Sequence, residues 1–170
     1  MTARLGQMRI ARYVSLVLLA APLLVFAHLG DTEQQLVTRF GPPLSRGRDI
    51  AISQGKFIEF GSKLAFKEGE WTIECIVIDG RCARTTYSKP GEWSEDQLTA
   101  VLASNSQGER WTDNSKEMVR KLARDWRRSD GATATWRMGV SMVVTNPTYD
   151  RAKQEIETRA KADATRIPNL

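Results

Sequence analysis

The side chains that could perform chemistry in this 170-residue chain are few. His28 is the one histidine, and it lies at the expected start of the mature chain, where order is least expected. A Ser-His-Asp or Cys-His catalytic centre would therefore have no base. Cys75 and Cys82 are the two cysteines; with six residues between them they form neither a zinc ligand set nor a Cys-x-x-Cys redox pair. No phosphate-binding or dinucleotide-binding glycine pattern is present. The sequence therefore predicts no catalytic residue, no metal site and no cofactor.

Paired carboxylates are the remaining route to catalysis. Four acids flank one predicted helix: Glu92, Glu95, Asp96 and Glu109. Two of them could meet in a cleft as general acid and base, which would make the protein a carboxylate-based hydrolase. In the favoured interpretation Glu95 and Asp96 are first-turn helix acids, and the other two are solvated loop charges.

A basic cluster surrounds one tryptophan, Trp126. Its members are Arg120, Lys121, Arg124, Arg127 and Arg128. One interpretation is contact with an anionic partner, either a phospholipid or lipopolysaccharide surface or an acidic protein. The alternative is a solvated helix face with Trp126 in the core.

The chain has five tryptophans, at positions 71, 93, 111, 126 and 136. Some must lie in the core, but we expect others on an open sheet face, where exposed tryptophan is typical of interfaces. The residues that we predict for partner contact are Trp71, Trp126, Arg124, Arg127 and Arg128.

Residues 1–27 are typical of a secretory signal peptide. Arg4, Arg9 and Arg12 precede an uncharged apolar run of 15 residues, and cleavage is expected before His28. The run is short for the ~20 residues that span a bilayer, so an uncleaved anchor is the weaker alternative. We therefore expect export to the periplasm or the medium, with no transmembrane segment in the mature chain.

Removal of this segment changes the meaning of the charge. The formal charge falls from +5 to +2 with the loss of three arginines, so the basic pI of 9.5 does not indicate nucleic-acid binding. Export also favours an oxidised cysteine pair.

The two cysteines lie on the strongest predicted hairpin, Trp71 to Tyr87. Asp79-Gly80 between β-branched and aromatic arms favours a type I′ turn. A two-residue turn would place Cys75 opposite Arg84 and diagonal to Cys82; a three-residue loop would put the cysteines on opposite faces. A four-residue loop from Val77 to Gly80 would pair them directly, with the Cβ separation of ~3.8 Å that a disulfide requires. Because of the expected export, we predict a Cys75–Cys82 disulfide.

The remaining elements follow from capping and turn patterns. Helices are predicted from Asp31 to Phe40, with a capping-box pattern at Thr32, and from Ser94, with the same pattern. Ser45 to Asp49 is predicted as a polar loop, followed by one or two strands up to Phe66. Over 114–126 a helix with the stripe Met118, Leu122 and Trp126 competes with a strand that begins near Ala123. A second Asp-Gly hairpin at 130–131 and a strand at 140–145 complete the pattern.

The order of elements is a helix and a strand meander, then a helix and a meander again. This order predicts an α+β fold in which two similar halves, about 31–91 and 93–146, form one sheet with both helices on one face. The whole domain would span 28–146. Residues 147–170 are predicted as a charged helical tail, loosely docked or solvated.

The segments VIDGRC, WSEDQLTAVLASNSQGERW and DWRRSDGATATW look like those of small, uncharacterised exported bacterial proteins. The plan of residues 31–146 is similar to the BamE/SmpA type of envelope fold and to secreted β-lactamase inhibitor proteins, which look like two such units in tandem. BamE-type lipoproteins carry a lipobox cysteine, and this chain has none. The resemblance implies a tandem α+β fold and no particular binding residue.

These observations favour a non-catalytic exported binding protein that acts on another envelope or secreted protein as an adaptor or inhibitor. The alternatives are the carboxylate-based hydrolase and a purely structural envelope protein.

Overall fold

A computed structural model of the chain describes residues 27–165. These residues form one eight-stranded antiparallel sheet and three α-helices. The first half comprises α1 (Glu33–Phe40), β1 (Ser45–Ser53), β2 (Lys56–Glu68), β3 (Trp71–Ile78) and β4 (Arg81–Ser88). The second half comprises α2 (Glu95–Ser104), β5 (Trp111–Asp113), a short 3-10 helix (Glu117–Val119), β6 (Ala123–Arg128), β7 (Thr133–Arg137) and β8 (Ser141–Thr145). α3 (Pro147–Thr165) follows.

The two halves join through their last strands. The strand order is β1-β2-β3-β4-β8-β7-β6-β5, and β4 pairs with β8 antiparallel. Each half is therefore a helix followed by a four-stranded meander. The two meanders join side by side through β4 and β8 and form one continuous sheet. The predicted α+β fold class is confirmed.

Capping fixes where the first two helices begin. The Thr32 and Ser94 side chains each accept a hydrogen bond from the backbone of the residue three positions on, and the side chains of Gln35 and Gln97 bond back to the cap residue. Each reciprocal pair satisfies two backbone donors that a helix start leaves open. Both predicted capping boxes are thus present, and the starts of α1 and α2 are set locally.

The main core lies between one face of the sheet and α1 and α2. Leu36 of α1 and Leu98 and Val101 of α2 are buried against strand residues such as Phe66 and Tyr87. Burial of one large apolar side chain stabilises a fold by about 1.5–3 kcal/mol, so this layer supplies much of the driving force. It also determines which side chains the sheet can offer to a partner.

The central hairpin has the two-residue turn. Ile78 pairs with Arg81, and Asp79 and Gly80 both have positive φ, at 50° and 75°. Val77 then pairs with Cys82, and a β-bulge shifts the register so that Cys75 pairs with Thr85. The prediction of a four-residue loop with direct Cys75–Cys82 pairing is therefore wrong, because Ile78 and Arg81 already pair across the two-residue Asp79-Gly80 turn.

Two stretches differ from their predicted structure. Ser45 to Asp49 is the first part of β1, since it pairs with β2 across a bulge between Gly47 and Asp49. The short helix considered over 114–126 is limited to the 3-10 turn at Glu117–Val119, and the alternative strand is present as β6 from Ala123. There the pairing of β6 with β7 prevails over the helical spacing of Met118, Leu122 and Trp126.

α3 packs on the opposite face of the sheet. Its Tyr149 is buried with Phe60, Ile76 and Ala83, and the tyrosine hydroxyl donates to the Asp49 carboxylate at 2.7 Å. The helix is thus docked over the first meander, which corrects the loosely docked or solvated tail; residues 166–170 lie outside the described part.

The second meander leaves that same face open. The side chains there form two rows, and none of them is buried: Thr86, Val143, Thr135 and Asp125 in one row, Thr145, Thr133 and Arg127 in the other. The second row ends at Arg84, which donates to the Tyr149 hydroxyl and so marks the border of α3. The open face is therefore polar, with threonine and charged residues where we expected tryptophan.

Candidate functional site

The predicted aromatic contact residues lie inside the protein. Trp71 is buried and packs edge-on against Trp93 with 4.8 Å between ring centroids. Trp126 is buried in the same core, and Trp136 and Trp111 also pack there. All five tryptophans therefore lie on the helix-covered face, which corrects the expectation of an aromatic open face.

The basic cluster is divided between different roles. Arg124 lies in β6 and its guanidinium donates to both carboxylate oxygens of Glu95, at 2.7 and 2.5 Å. The Arg128 side chain is only 1% exposed and forms an ion pair with Asp130. Arg120 pairs with Asp113. These arginines bond within the fold and do not form one free positive surface.

Arg127 is the exposed member of the predicted contact set. It lines a shallow depression of about 500 Å³ together with Arg110, Arg128 and the loop at Gly108 and Glu109. Contact of this basic surface with an anionic partner stays a prediction.

Arg128 belongs to a buried polar network that connects distant parts of the chain. Its guanidinium donates to the Asn105 carbonyl and to Gln107 Oε1, and its Cζ atom lies 5.2 Å from the centroid of the Trp111 ring. Asn105, fully buried at the end of α2, uses its amide to bond Tyr87 and its side-chain oxygen to accept from the Leu29 backbone. Loss of the Arg128 guanidinium or of the Asn105 amide would leave buried polar groups without hydrogen-bond partners. This explains why an arginine occupies the core.

The same network holds the chain where the described residues begin. The Tyr87 hydroxyl donates to the Ala27 carbonyl, and Ala27 and Leu29 are both buried. Burial raises the pKa of Tyr87 well above its usual value, so this hydroxyl stays protonated and can donate. Apart from Ala27, the predicted signal peptide (residues 1–27) lies outside the described residues.

Cys75 and Cys82 are free, fully buried thiols on the helix-covered face. The bulge brings them together, and their mutual hydrogen bond, followed by burial, raises the pKa of Cys75 well above its usual value. Cys82 Sγ also lies 3.2 Å from Thr85 Oγ1. The structure therefore contains adjacent thiols at the site of the predicted disulfide, and the raised pKa makes the Cys75 thiol a poor nucleophile.

The four acids that could form a catalytic pair lie on the surface around α2. Glu92, Glu95 and Asp96 are exposed, and Glu109 accepts a hydrogen bond from Ser129. The hydrogen bond from Arg124 lowers the pKa of Glu95, which is the direction opposite to that needed by a general acid at neutral pH. Among residues 27–165 no group of three His, Cys, Asp or Glu side chains could hold a metal ion.

Two exposed apolar patches are the features that sequence reasoning missed. The hairpin patch consists of Ile50, Ile52 and Phe57 at the end of the β1–β2 hairpin, and Phe57 is 74% exposed. Ile52 pairs directly with Phe57, which places the three side chains on one face. Because Ala51 and Phe60 point toward α3, the hairpin patch lies on the other side of the sheet, beyond the layer of α1 and α2.

The loop patch consists of Met118, Val119, Leu122, Met138 and Val140. Met118 is 97% and Val140 64% exposed. The two turns that carry these residues are joined by a hydrogen bond of 2.9 Å from the Met138 N–H to the Leu122 carbonyl. The apolar residues at the Arg137–Ser141 turn were the available sequence signal, since a surface turn normally carries polar residues.

Comparison with known proteins adds no functional assignment. No protein-family model matches the chain, and the searches of curated proteins and of solved structures found no significant similarity. The resemblance of residues 31–146 to BamE/SmpA-type folds and β-lactamase inhibitor proteins stays a prediction. Within residues 27–165 no helix combines the length and the apolar character that crossing a bilayer requires.

Proposed function

We propose that this protein is a non-catalytic exported binding protein that contacts another envelope or secreted protein, as an adaptor or inhibitor, through the loop patch. The observation that carries the proposal is the exposure of five large apolar side chains on two hydrogen-bonded turns. Contiguous exposed apolar surface marks contact sites, and methionine side chains adapt to the shape of a partner.

Charge around the loop patch indicates the character of the partner. Lys116 and Lys121 are exposed beside Met118 and Leu122. Arg137 is paired with Asp125 at 3.3 Å, and Arg120 with Asp113. The rim is therefore only mildly basic, which favours a protein with an apolar centre and a few acidic rim residues over a strongly anionic surface.

Site-specific photo-crosslinking in cells tests this proposal. A benzoylphenylalanine at Met138 should give a discrete crosslinked adduct with one protein, whereas the same probe at Lys153 on the exposed side of α3 should not. Leu122→Glu should abolish the adduct, because a charge in the centre of an apolar contact is left desolvated.

Leu44→Glu is the matched control, since Leu44 is also a large exposed residue but lies before β1, at the far side of the sheet. It should leave the adduct unchanged. Loss of the adduct in both variants, or in neither, would contradict a contact at the loop patch.

Export is part of the proposal and has a separate test. N-terminal sequencing of the protein from the envelope or medium should begin at or near His28. The His28 backbone nitrogen lies 2.9 Å from Asp31 Oδ2, so an α-ammonium group formed there would have a carboxylate partner. An intact Met1 would instead mean a retained anchor or a cytosolic protein, and the second outcome would contradict export.

A further inference from the structure

The β5–β6 end of the sheet carries two exposed arginines that no carboxylate neutralises. Arg127 lies on β6, and Arg110 immediately precedes β5. Within residues 27–165 neither side chain has a hydrogen-bond or ion-pair partner, whereas Arg124 of the same strand is paired with Glu95. Two unpaired guanidinium groups are therefore open to a ligand.

The register of β5 and β6 places the two arginines together. Thr112 pairs directly with Arg127, and Arg110, two residues before Thr112, lies on the same face because side chains alternate along an extended chain. Diagonal neighbours across an antiparallel pair are about 7–8 Å apart, which is within reach of long side chains. All three residues line the depression of about 500 Å³. The like charges of the two arginines repel each other there, and an anion between them would relieve that repulsion.

The walls of the depression are held together by hydrogen bonds. Ser129 donates to the Glu109 carboxylate at 2.5 Å, and the buried Arg128 guanidinium donates to Gln107 Oε1 at 3.0 Å. Gly108, with φ of 84°, turns the loop between these two contacts. A ligand would thus bind to a loop that is already ordered, which lowers the entropic cost of binding.

The depression carries an excess of positive charge. Arg128 is neutralised by Asp130, so its charge is already used within the fold. Among the described residues that line the depression, Glu109 is the one carboxylate, and its charge is opposed by both Arg110 and Arg127. The surface therefore favours an anion.

Neutral donors lie beside the two arginines. The Thr112 hydroxyl and the Asn114 side-chain amide belong to the same depression. Asp125, on the same face of β6, already accepts hydrogen bonds from Thr135 and Arg137. Its charge is thus balanced inside the sheet, and the donors at Thr112 and Asn114 are left for an incoming oxyanion.

We propose that this depression binds the phosphate monoester group of a ligand between Arg110 and Arg127. Guanidinium groups recognise phosphate through paired N–H···O bonds. A phosphate monoester has three terminal oxygens and up to two negative charges, so it can accept from both arginines and a neutral donor at once. A carboxylate offers two oxygens and one charge. The depression lies at the end of β6 and the loop patch at its start, so the inference does not depend on the proposed function.

Isothermal titration calorimetry with inorganic phosphate, in a low-salt buffer that contains no other phosphate, tests the site. The wild type should show saturable binding, and acetate should bind much more weakly. Arg127→Gln and Arg110→Gln should each reduce the affinity about tenfold or more, because each removes charge-assisted hydrogen bonds. Arg48→Gln is the matched control, since Arg48 is an exposed arginine on β1 at the opposite edge of the sheet. It removes the same charge and should leave the affinity unchanged.

Two further probes identify the source of the phosphate. Sedimentation of the wild type, but not of Arg127→Gln, with phosphatidylcholine vesicles that contain phosphatidic acid would show that the ligand is a lipid. Binding of soluble glycerol phosphate without sedimentation would show a soluble ligand. Because the substituted side chains are exposed, all variants should keep the wild-type urea midpoint. A wild type that binds no phosphate, acetate that binds as tightly as phosphate, or equal losses in Arg127→Gln and Arg48→Gln would overturn the inference.

Discussion

Asn105→Leu should destabilise the protein strongly although it replaces a polar core residue with an apolar one of the same branched shape. The Asn105 side chain is fully buried; its oxygen accepts from the Leu29 N–H at 3.0 Å, and its amide donates to the Tyr87 hydroxyl at 3.0 Å. Leucine can make neither bond, so a buried backbone donor loses its acceptor.

The magnitude follows from these two bonds. A buried donor left unpaired costs about 1–3 kcal/mol, and a lost hydrogen bond whose other partner is still satisfied costs about 0.5–1.5 kcal/mol. In a chain that retains Ala27, the Tyr87 hydroxyl still donates to the Ala27 carbonyl, so the second cost applies there. Together we expect a loss of about 2–4 kcal/mol in the free energy of unfolding.

Urea denaturation, followed by tryptophan fluorescence, measures this loss. With an m-value of about 1–3 kcal/mol/M, the midpoint should fall by about 0.7–4 M. Asn114→Leu makes the same chemical change at an exposed position and should shift the midpoint little. If Asn105→Leu and Asn114→Leu unfold at the same midpoint, the network does not hold the segment at Leu29 as we describe.

Three further predictions concern a glycine in the sheet, the Glu95–Arg124 ion pair and the two cysteines. Gly61→Ala should cost about 2–4 kcal/mol in a urea titration, because Gly61 has φ of 56° and a Cβ there would lie 3.0 Å from Ile76 Cγ2. Gly69→Ala, with the same φ and nothing within 4 Å, should cost only the backbone strain of about 1–2 kcal/mol; equal losses would mean that the contact with Ile76 is relieved. Glu95→Gln should destabilise by less than about 1 kcal/mol at pH 7, since Glu95 is largely exposed. Its folded pKa is lowered by Arg124, so the stabilisation is present above the usual pKa of 4.5 and is lost as the pH falls through the folded pKa. A gap between wild type and Glu95→Gln that persists at pH 2 would be inconsistent with this ion pair. Mass spectrometry of the unreduced purified protein, denatured and alkylated, should show a Cys75–Cys82 disulfide, and Cys75→Ala with Cys82→Ala should cost about 1–2 kcal/mol. Two alkylated thiols in the wild type would refute the disulfide.

Local chemistry is what the sequence expresses most directly. The capping residues Thr32 and Ser94 set the starts of two helices, and Asp79-Gly80 closes the central hairpin. Each of these depends on a few neighbouring residues and on the positive φ that a turn needs, so no distant contact can easily override it. The order of such elements was enough to predict two helix-plus-meander units in one sheet.

Tertiary structure decided which side of the sheet each residue faces. β3 carries apolar residues on both faces, Ile73 and Val77 toward α1 and α2 and Ile76 toward α3, so alternation alone could not separate a covered face from an open one. The buried Tyr149 docks a helix that looks solvated by composition, because one aromatic anchor with hydrogen bonds to Asp49 and Arg84 suffices to hold it.

The candidate surfaces depend on the same long-range geometry. Ile50, Ile52 and Phe57 resemble core residues in sequence, but the β1–β2 hairpin extends past the helix layer and leaves them exposed. Trp71 and Trp126 look like contact residues but fill the core between the sheet and the helices. The sequence by itself determined the elements and their order; only the packing of helices on the two faces decided which apolar residues were left for a partner, since burial is a property of elements that are far apart in the chain.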